Sequence, residues 1–541
     1  MSFSKSKVSR GTTEPEQGNI FGFEGLLNIN SLPQSIADNQ LVQALNVYGS
    51  ADGGLTKRRG IAQRGALFSN SVAGLNIYRF YQEVVGGTPQ NPTVLKLLGQ
   101  SGGTLYNVDT ATQIGSTNAL GVNAQSWSVD RVYDPATAGG TDVMVICTGV
   151  GGPYLFDGTT ISTPTTWSAN AAGARWCKVA SGCLFFGGIL AQPNLLVQMA
   201  IGAPQTFQQS YSASLPLTGL AELGAGSQSG LVFGMTKGVG VSFGVNASTL
   251  FIQEIPHEDG VAAGRTMITI GGVVYFLGRF NIYMFDGQNI IPIGDNVRPW
   301  IICDPLHADY PMNGNRQLSF SWFYNDLVYF AYDSGSVGYC NTYLVWHIKQ
   351  KGWTLYTGPR LSGATLLDAP GDAIPTACVV QDATLSQSYN WDVYNGQGVN
   401  GHNVDDNGTA IQTNILSKYF RLSGPGTRSR VTGIDSELFI ESFNGSIVIG
   451  TDYGSVSYNT TLSLQASTNE LVWNQGSWDQ TLWGGNSTLQ YAVDKRQIDD
   501  GAGNSPSAYS YAVGIATNDF LPPYQYVGAS LEFVNEGRSY E

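Results

Sequence analysis

Along most of the chain, short apolar runs alternate with turn residues. Between residues 67 and 405 the runs predict strands at 94–98, 142–148, 183–186, 231–234, 241–243, 273–277, 282–285, 327–332 and 342–347. The turns between them carry Gly271-Gly272, Asn325-Asp326, Asp157-Gly158 and Asp286-Gly287. Such pairs close tight hairpins, because Gly and Asn tolerate positive φ. Many short strands with glycine turns predict an all-β sandwich, barrel or propeller. A degenerate repeat favours the propeller. Pro153-Tyr154-Leu155-Phe156-Asp157-Gly158 is echoed by Ile282-Tyr283-Met284-Phe285-Asp286-Gly287, by Trp391-Asp392-Val393-Tyr394-Asn395-Gly396, and weakly by residues 103–109. Repeated four-stranded units of about 40–50 residues are the signature of propellers. The pattern does not give a blade count.

The ends of the chain read differently. Residues 1–20 are small and polar and predict a flexible arm. Residues 21–66 form a lead-in segment to the first blade, and within it 32–48 carries a helical spacing, with Ile36, Leu41, Ala44 and Leu45 on one side. Residues 406–541 predict a separate antiparallel β-sandwich. Its strands fall at 411–422, 431–440, 446–450, 490–493, 509–515 and 526–533, and the Trp-rich stretch 473–483 forms a long loop.

Composition narrows the class. The 541 residues include 68 glycines, and only 12% are charged. No G-X-Y period accompanies the glycine, so collagen is excluded. Aromatics at 11% are too many for a disordered chain. No apolar run is long enough for a membrane helix, and the polar N-terminus shows no signal peptide. A net charge of −13 argues against a general grip on nucleic-acid phosphates. Cys147, Cys177, Cys183, Cys303, Cys340 and Cys378 include no C-x-x-C pair and read as buried free thiols in strands.

The candidate chemistry is thin. Gly99-Gln100-Ser101-Gly102-Gly103 spells G-x-S-x-G, but a nucleophile elbow needs a helix after it and a strand follows here. His257, His307, His347 and His402 are scattered, with no metal-binding spacing. Asn403-Val404-Asp405-Asp406-Asn407-Gly408 resembles the start of a calcium loop, yet its twelfth position is Asn414 rather than a bidentate Glu. The turn at 50–56 is similar to the structural turn of sialidase-type propellers. Glu254, Glu258, Asp259, Asp304 and Asp309 read as solvated loop acids rather than paired carboxylates for sugar hydrolysis. No catalytic, cofactor-binding or metal-ligating residue is therefore assigned, and a structural or binding role is expected rather than an enzyme.

One stretch is more specific. Gly25-Leu26-Leu27-Asn28 and Leu32-Pro33 are followed by Ile36-Ala37-Asp38-Asn39-Gln40-Leu41, by Ala44-Leu45-Asn46-Val47, and by Gly53-Gly54-Leu55-Thr56-Lys57-Arg58-Arg59-Gly60. This order resembles the opening of phage tail propeller proteins. In it Asn46 and Gly54 form turns, and Arg58 is placed to anchor carbonyls or a carboxylate. The Phe-Asp-Gly turns, the hairpin 342–353 with its Trp after a charged turn, and the strands 428–434 and 526–533 are similar to the same proteins. By layout the chain resembles the nozzle, or tail tubular, protein of short-tailed bacteriophages. The resemblance implies a six-fold ring of copies in the virion, below the portal and adaptor. Propellers would lie outside, and a sandwich platform would line a channel for DNA ejection without specific DNA binding. Tail fibres or spikes would attach nearby, and 454–486 is the segment expected at a gate. Two other readings stay open: a receptor- or glycan-binding propeller using Trp473, Trp478 and Trp483, and a polysaccharide-degrading enzyme.

Overall fold

A computed structural model describes residues 16–538 except 51–52, 70–73, 90–95, 122–125, 138, 225–228, 245–248, 313, 368–375, 382–385, 395–403, 424–425, 453–455, 466–489 and 498–505. The chain is all-β, with 59% strand against 5% helix. It divides into two compact units. The smaller comprises Met1–Ile61, Trp346–Tyr356 and Asp392–Glu541, and the larger Ala62–Val345 and Thr357–Trp391. The lead-in segment expected at 21–66 is therefore divided at residue 61, and the smaller unit is gathered from three stretches of chain.

The larger unit holds five four-stranded antiparallel sheets, at 74–114, 128–162, 176–212, 217–255 and 268–292. Each is a simple meander, with strands in chain order. Phe320–Tyr324, Leu327–Tyr332 and Cys340–His347 continue the series. The last group is Gly352–Leu367, Thr376–Gln381 and Ser386–Val393. Against Ser386–Val393 lies Gly60–Ser69, so the unit's first strand pairs with its last.

Side-chain alternation explains why these strands read as unbroken apolar runs. Thr141–Cys147 is buried at every position. Val143 and Val145 pack with Leu184 and Phe186 of the next sheet. Met144 and Ile146 pack with Tyr78 and Leu98 of the preceding one. The same division holds one sheet on, where Phe185 meets Leu231 and Phe233. Next, Val232 and Val241 meet Val274 and Phe276. At the other end, Ile77 and Leu97 meet Cys378 and Val380 of the last group. A strand with both faces covered has no polar side to show. Each such side chain contributes about 1.5–3 kcal/mol on burial. The sixth and last groups join through Trp322, which stacks on Tyr329 at 4.5 Å and meets Trp391 edge-on at 5.5 Å.

The repeated turns are the same device in three sheets. In each, the turn joins the third strand to the fourth. Asp157 accepts from the N–H groups of Thr159 at 2.8 Å and Thr160 at 2.7 Å, and Gly158 has φ 97°. Asp286 accepts from those of Gln288 at 2.8 Å and Asn289 at 2.7 Å, with Gly287 at φ 101°. Asn107, in the weak copy, accepts from those of Asp109 at 3.0 Å and Thr110 at 3.3 Å. Burial works against ionisation of Asp157, but the donors of Thr160 and Thr159 outweigh it and hold the carboxyl below its ordinary range. In the third copy, Trp391 to Val393 lie in a strand and residues 395–396 fall outside the described residues.

The smaller unit contains two antiparallel arrays. In one, the long strands Thr427–Ile440 and Gln525–Arg538 pair, with Val431 opposite Phe533 and Ile434 opposite Leu531. In the other, Gln40–Leu45, Ile411–Ser417, Tyr511–Asp519, Ser442–Thr451 and Val456–Gln465 lie in that order. The Tyr511 hydroxyl of the second array donates to the Ser429 carbonyl of the first. Phe443 meets Tyr524 edge-on at 4.9 Å.

Two expectations are corrected. The helical spacing at 32–48 gives strands Gln40–Leu45 and Val47–Gly49 instead. Gln40–Leu45 is claimed by pairing to Ile411–Ser417, and Asn46 at φ 55° breaks any helix. Tertiary pairing overrides a weak local propensity. The arm expected at 1–20 ends in a strand, Glu16–Phe21, paired to Gln525–Arg538 from Glu16 opposite Phe533 to Phe21 opposite Gly528. Residues 1–15 lie outside the described residues. Among the described residues, no helix is long and apolar enough to cross a membrane.

Candidate functional site

The first strands of successive sheets in the larger unit converge on two adjoining cavities, of about 510 and 430 Å³. Both are lined by Asn76, Tyr78, Lys178, Glu222 and Ala364. Asn76 and Tyr78 share one strand, and Lys178, Glu222 and Ala364 come from three others, which is why sequence spacing does not bring them together.

The wall is polar and mostly self-satisfied. Lys178 Nζ lies 3.1 Å from Asp130 Oδ2, which also accepts from Val179 N at 2.7 Å. Burial works against the Lys178 charge, but Asp130, with Glu222, outweighs it and holds the ammonium above the usual lysine range. Tyr78 donates to Gln100 Oε1 at 2.8 Å and accepts from Trp127 N at 3.0 Å, and burial pushes its hydroxyl up to about 12. Arg131 lies over the Tyr81 ring at 3.9 Å and reaches Glu83 at 3.1 Å. Such a wall can hold a polar ligand or water; among the described residues of the lining, no nucleophile has a base beside it.

The residues singled out in sequence are dispersed. Ser101 ends strand Lys96–Ser101, and Gly102 at φ 57° turns the chain into strand Thr104–Asn107, so the G-x-S-x-G letters form a hairpin. His257 Nδ1 accepts from Asp259 N at 3.1 Å, and His307 lies in a 3-10 turn. His347 is 1% exposed and meets Thr354 Oγ1 at 2.9 Å, and burial pushes its pKa down to about 3. His402 lies outside the described residues. Glu254 accepts from the hydroxyl of Tyr211 at 2.9 Å and from the N–H of Ser214 at 2.9 Å. Asp259 is buried and accepts from the amides of Gly260, Arg279 and Phe280 at 2.9 Å each. Asp304 caps the turn at Leu306, and Asp309 accepts from Trp300 Nε1 at 2.9 Å. Glu258 shares none of these contacts. Trp473, Trp478, Trp483 and most of 454–486 lie outside the described residues. Among the described residues, no three His, Cys, Asp or Glu side chains group to hold a metal. Five of the cysteines are buried in strands; Cys303 is half-buried, outside any strand, at φ 59°.

The calcium-like loop has another use. Asn403 is outside the described residues, Asp405 accepts from Gly408 N at 2.6 Å, and Asn414 is paired within strand Ile411–Ser417. Asp406 takes Arg58 in a two-pronged ion pair, with Nη1 to Oδ1 at 2.8 Å. Arg58 is 2% exposed and also donates to Asn46 Oδ1 at 2.9 Å and the Arg59 carbonyl at 3.0 Å. It anchors both a carbonyl and a carboxylate, as its position in the N-terminal motif led us to expect.

No family model matches the chain, and a search of curated proteins found no match. Among solved structures, the computationally designed Ika8 protein is similar with TM-score 0.34 and 10% identity, over 69% of this chain and 100% of that one. BBS1N, solved in complex with ARL6DN, is similar with TM-score 0.37 and 8% identity, over 60% and 99%. An exported protein of Bacteroides fragilis is similar with TM-score 0.31 and 9% identity, over 51% and 92%.

Proposed function

We propose that the chain is a structural, non-catalytic component of a bacteriophage tail, a nozzle or tail-tube subunit that forms a ring around the path of genome ejection. One observation carries this reading. Five of the segments that bear the resemblance, 25–28, 36–47, 53–60, 428–434 and 526–533, are remote in sequence yet belong to one compact unit, while the Phe-Asp-Gly turns lie in the other and the hairpin 342–353 is divided between the two. Within it, Leu55 pairs with Tyr526, and Ile434 with Leu531. A motif whose parts serve one structural purpose is a stronger mark than loose letter matches.

On this reading the larger unit is a β-propeller. Five four-stranded meanders are blades, the strands from Phe320 to Val345 belong to a sixth, and the closing group with Gly60–Ser69 is a seventh. Pairing the first strand beside the last closes the ring of blades. The smaller unit is the β-sandwich platform that faces the channel. Adaptor and portal-side proteins, and fibres or spikes, are its neighbours in the virion. DNA passes without specific binding, and the net charge of −13 suits a wall that must not hold phosphates. Leu190 at 75% exposure and Leu306 at 88% offer apolar surface for neighbouring subunits.

The test is assembly in solution. The purified chain, alone and mixed with a cognate adaptor complex, is examined by native mass spectrometry and negative-stain microscopy. A closed six-fold ring is expected. A chain that stays monomeric in both conditions overturns the reading.

A further inference from the structure

A third, smaller cavity of about 80 Å³ in the larger unit is lined by Arg175, Arg265, Ser126, Asn315, Gln317 and Ser362, among others. The two guanidiniums share it with no carboxylate among its described lining residues. Neither Arg175 nor Arg265 forms an ion pair with a described Asp or Glu. The titratable neighbours of Arg175 are Tyr78 and Cys147, and those of Arg265 are Tyr78, Cys340 and Arg175 itself. All are neutral or positive at neutral pH.

Their existing contacts hold them in place without satisfying them. Arg175 Nη1 donates to the Thr148 carbonyl at 3.3 Å. Arg265 donates to the Leu318 carbonyl at 3.4 Å and the Ser362 carbonyl at 2.5 Å, and lies over the Phe320 ring at 5.0 Å. A guanidinium carries five N–H donors, so each arginine keeps several for another acceptor. Ser126 Oγ, in the same wall, is buried near the Tyr78 hydroxyl and makes no hydrogen bond of normal geometry. Burial pushes both arginines below their ordinary range, Arg265 to about 10, the mark of positive charge held without a counter-charge.

We propose that this cavity binds a small tetrahedral oxyanion of the phosphate or sulfate class, held between Arg175 and Arg265 with Ser126 as a further donor. The arginine fork matches such oxygens two at a time, and an anion removes the repulsion between the two cations. On this measure of volume one water takes roughly 10–15 Å³, so the space of about 80 Å³ admits a tetrahedral ion. Nothing in this inference depends on the tail-ring reading, since it concerns one unit of a single chain.

The probe is inorganic sulfate, and separately inorganic phosphate, titrated calorimetrically into the full-length protein with chloride at matched ionic strength as reference. Saturable binding at one site per chain is expected. Arg175→Gln and Arg265→Gln should each weaken it roughly 10- to 100-fold, the worth of a charge-assisted hydrogen bond. Arg430→Gln, which alters an exposed ion pair in the other unit, should leave it unchanged. The wild-type titration stands if a variant fails to fold, and selenate located by its anomalous scattering supplies an independent position. No saturable binding over chloride, unchanged affinity in both arginine variants, or selenate found elsewhere overturns the proposal.

Discussion

Replacing Asp406 by Asn should be among the most damaging single changes in the smaller unit. The substitution keeps the side chain's shape and removes its charge. Arg58, 2% exposed, then loses its two-pronged counter-ion and keeps the neutral acceptors Asn46 Oδ1 and the Arg59 carbonyl, with Asp392 as the other carboxylate that feels its charge. Breaking one side of a buried ion pair costs about 3–5 kcal/mol. A unit of this size loses about 2–4 °C of melting temperature per kcal/mol, so the transition should fall by roughly 6–20 °C. Differential scanning calorimetry of parent and D406N measures the shift directly. Removing both partners, as Arg58→Met with Asp406→Leu, should recover most of the loss, because no uncompensated charge remains. A D406N transition within about 2 °C of the parent, or a double variant no better than the single, refutes the reasoning.

Three further outcomes follow from the burial pattern. His347 takes its proton near 6.5 when unfolded but only near 3 when folded, so protonation favours unfolding as pH falls below 6.5. Between pH 6.5 and 4.5 the parent should lose about 2–3 kcal/mol more than His347→Gln, read from urea midpoints. Burial pushes the Cys147, Cys183 and Cys378 thiols up, the last to about 12, and Cys303 alone is half-buried. A disulfide-exchange reagent at pH 8 should therefore titrate one thiol rapidly in the native chain, and all of them after denaturation. Asp157→Ala removes the acceptor for the Thr159 and Thr160 amides and should destabilise the protein by about 1 kcal/mol, checked by chemical denaturation.

The strands and turns were legible because their causes are local. Val143 to Cys147 reads as unbroken apolar sequence because both faces of that strand are covered, and Asp157-Gly158 reads as a turn because those residues make it. The weak copy at 103–109 proved to occupy the same corner, with Asn107 in place of the aspartate. Residues 40–45 misled because their spacing suits a helix while their partner, Ile411–Ser417, lies far along the chain. The pair of Arg58 and Asp406 spans 348 residues, and only the N-terminal motif hinted at one half of it. Lys178, Asp130 and Glu222 come from three different sheets, and Arg175 and Arg265 share no spacing that marks them. Sites assembled by the stacking of sheets leave no periodic trace in sequence.

A place in a tail ring is tested by electron microscopy of virions that carry this chain tagged at a terminus. The tail-ring reading predicts label and density at the tail below the portal, in six equivalent positions around an axial channel. Virions whose tails lack the chain, or that carry it at the tip of a fibre without ring symmetry, contradict it.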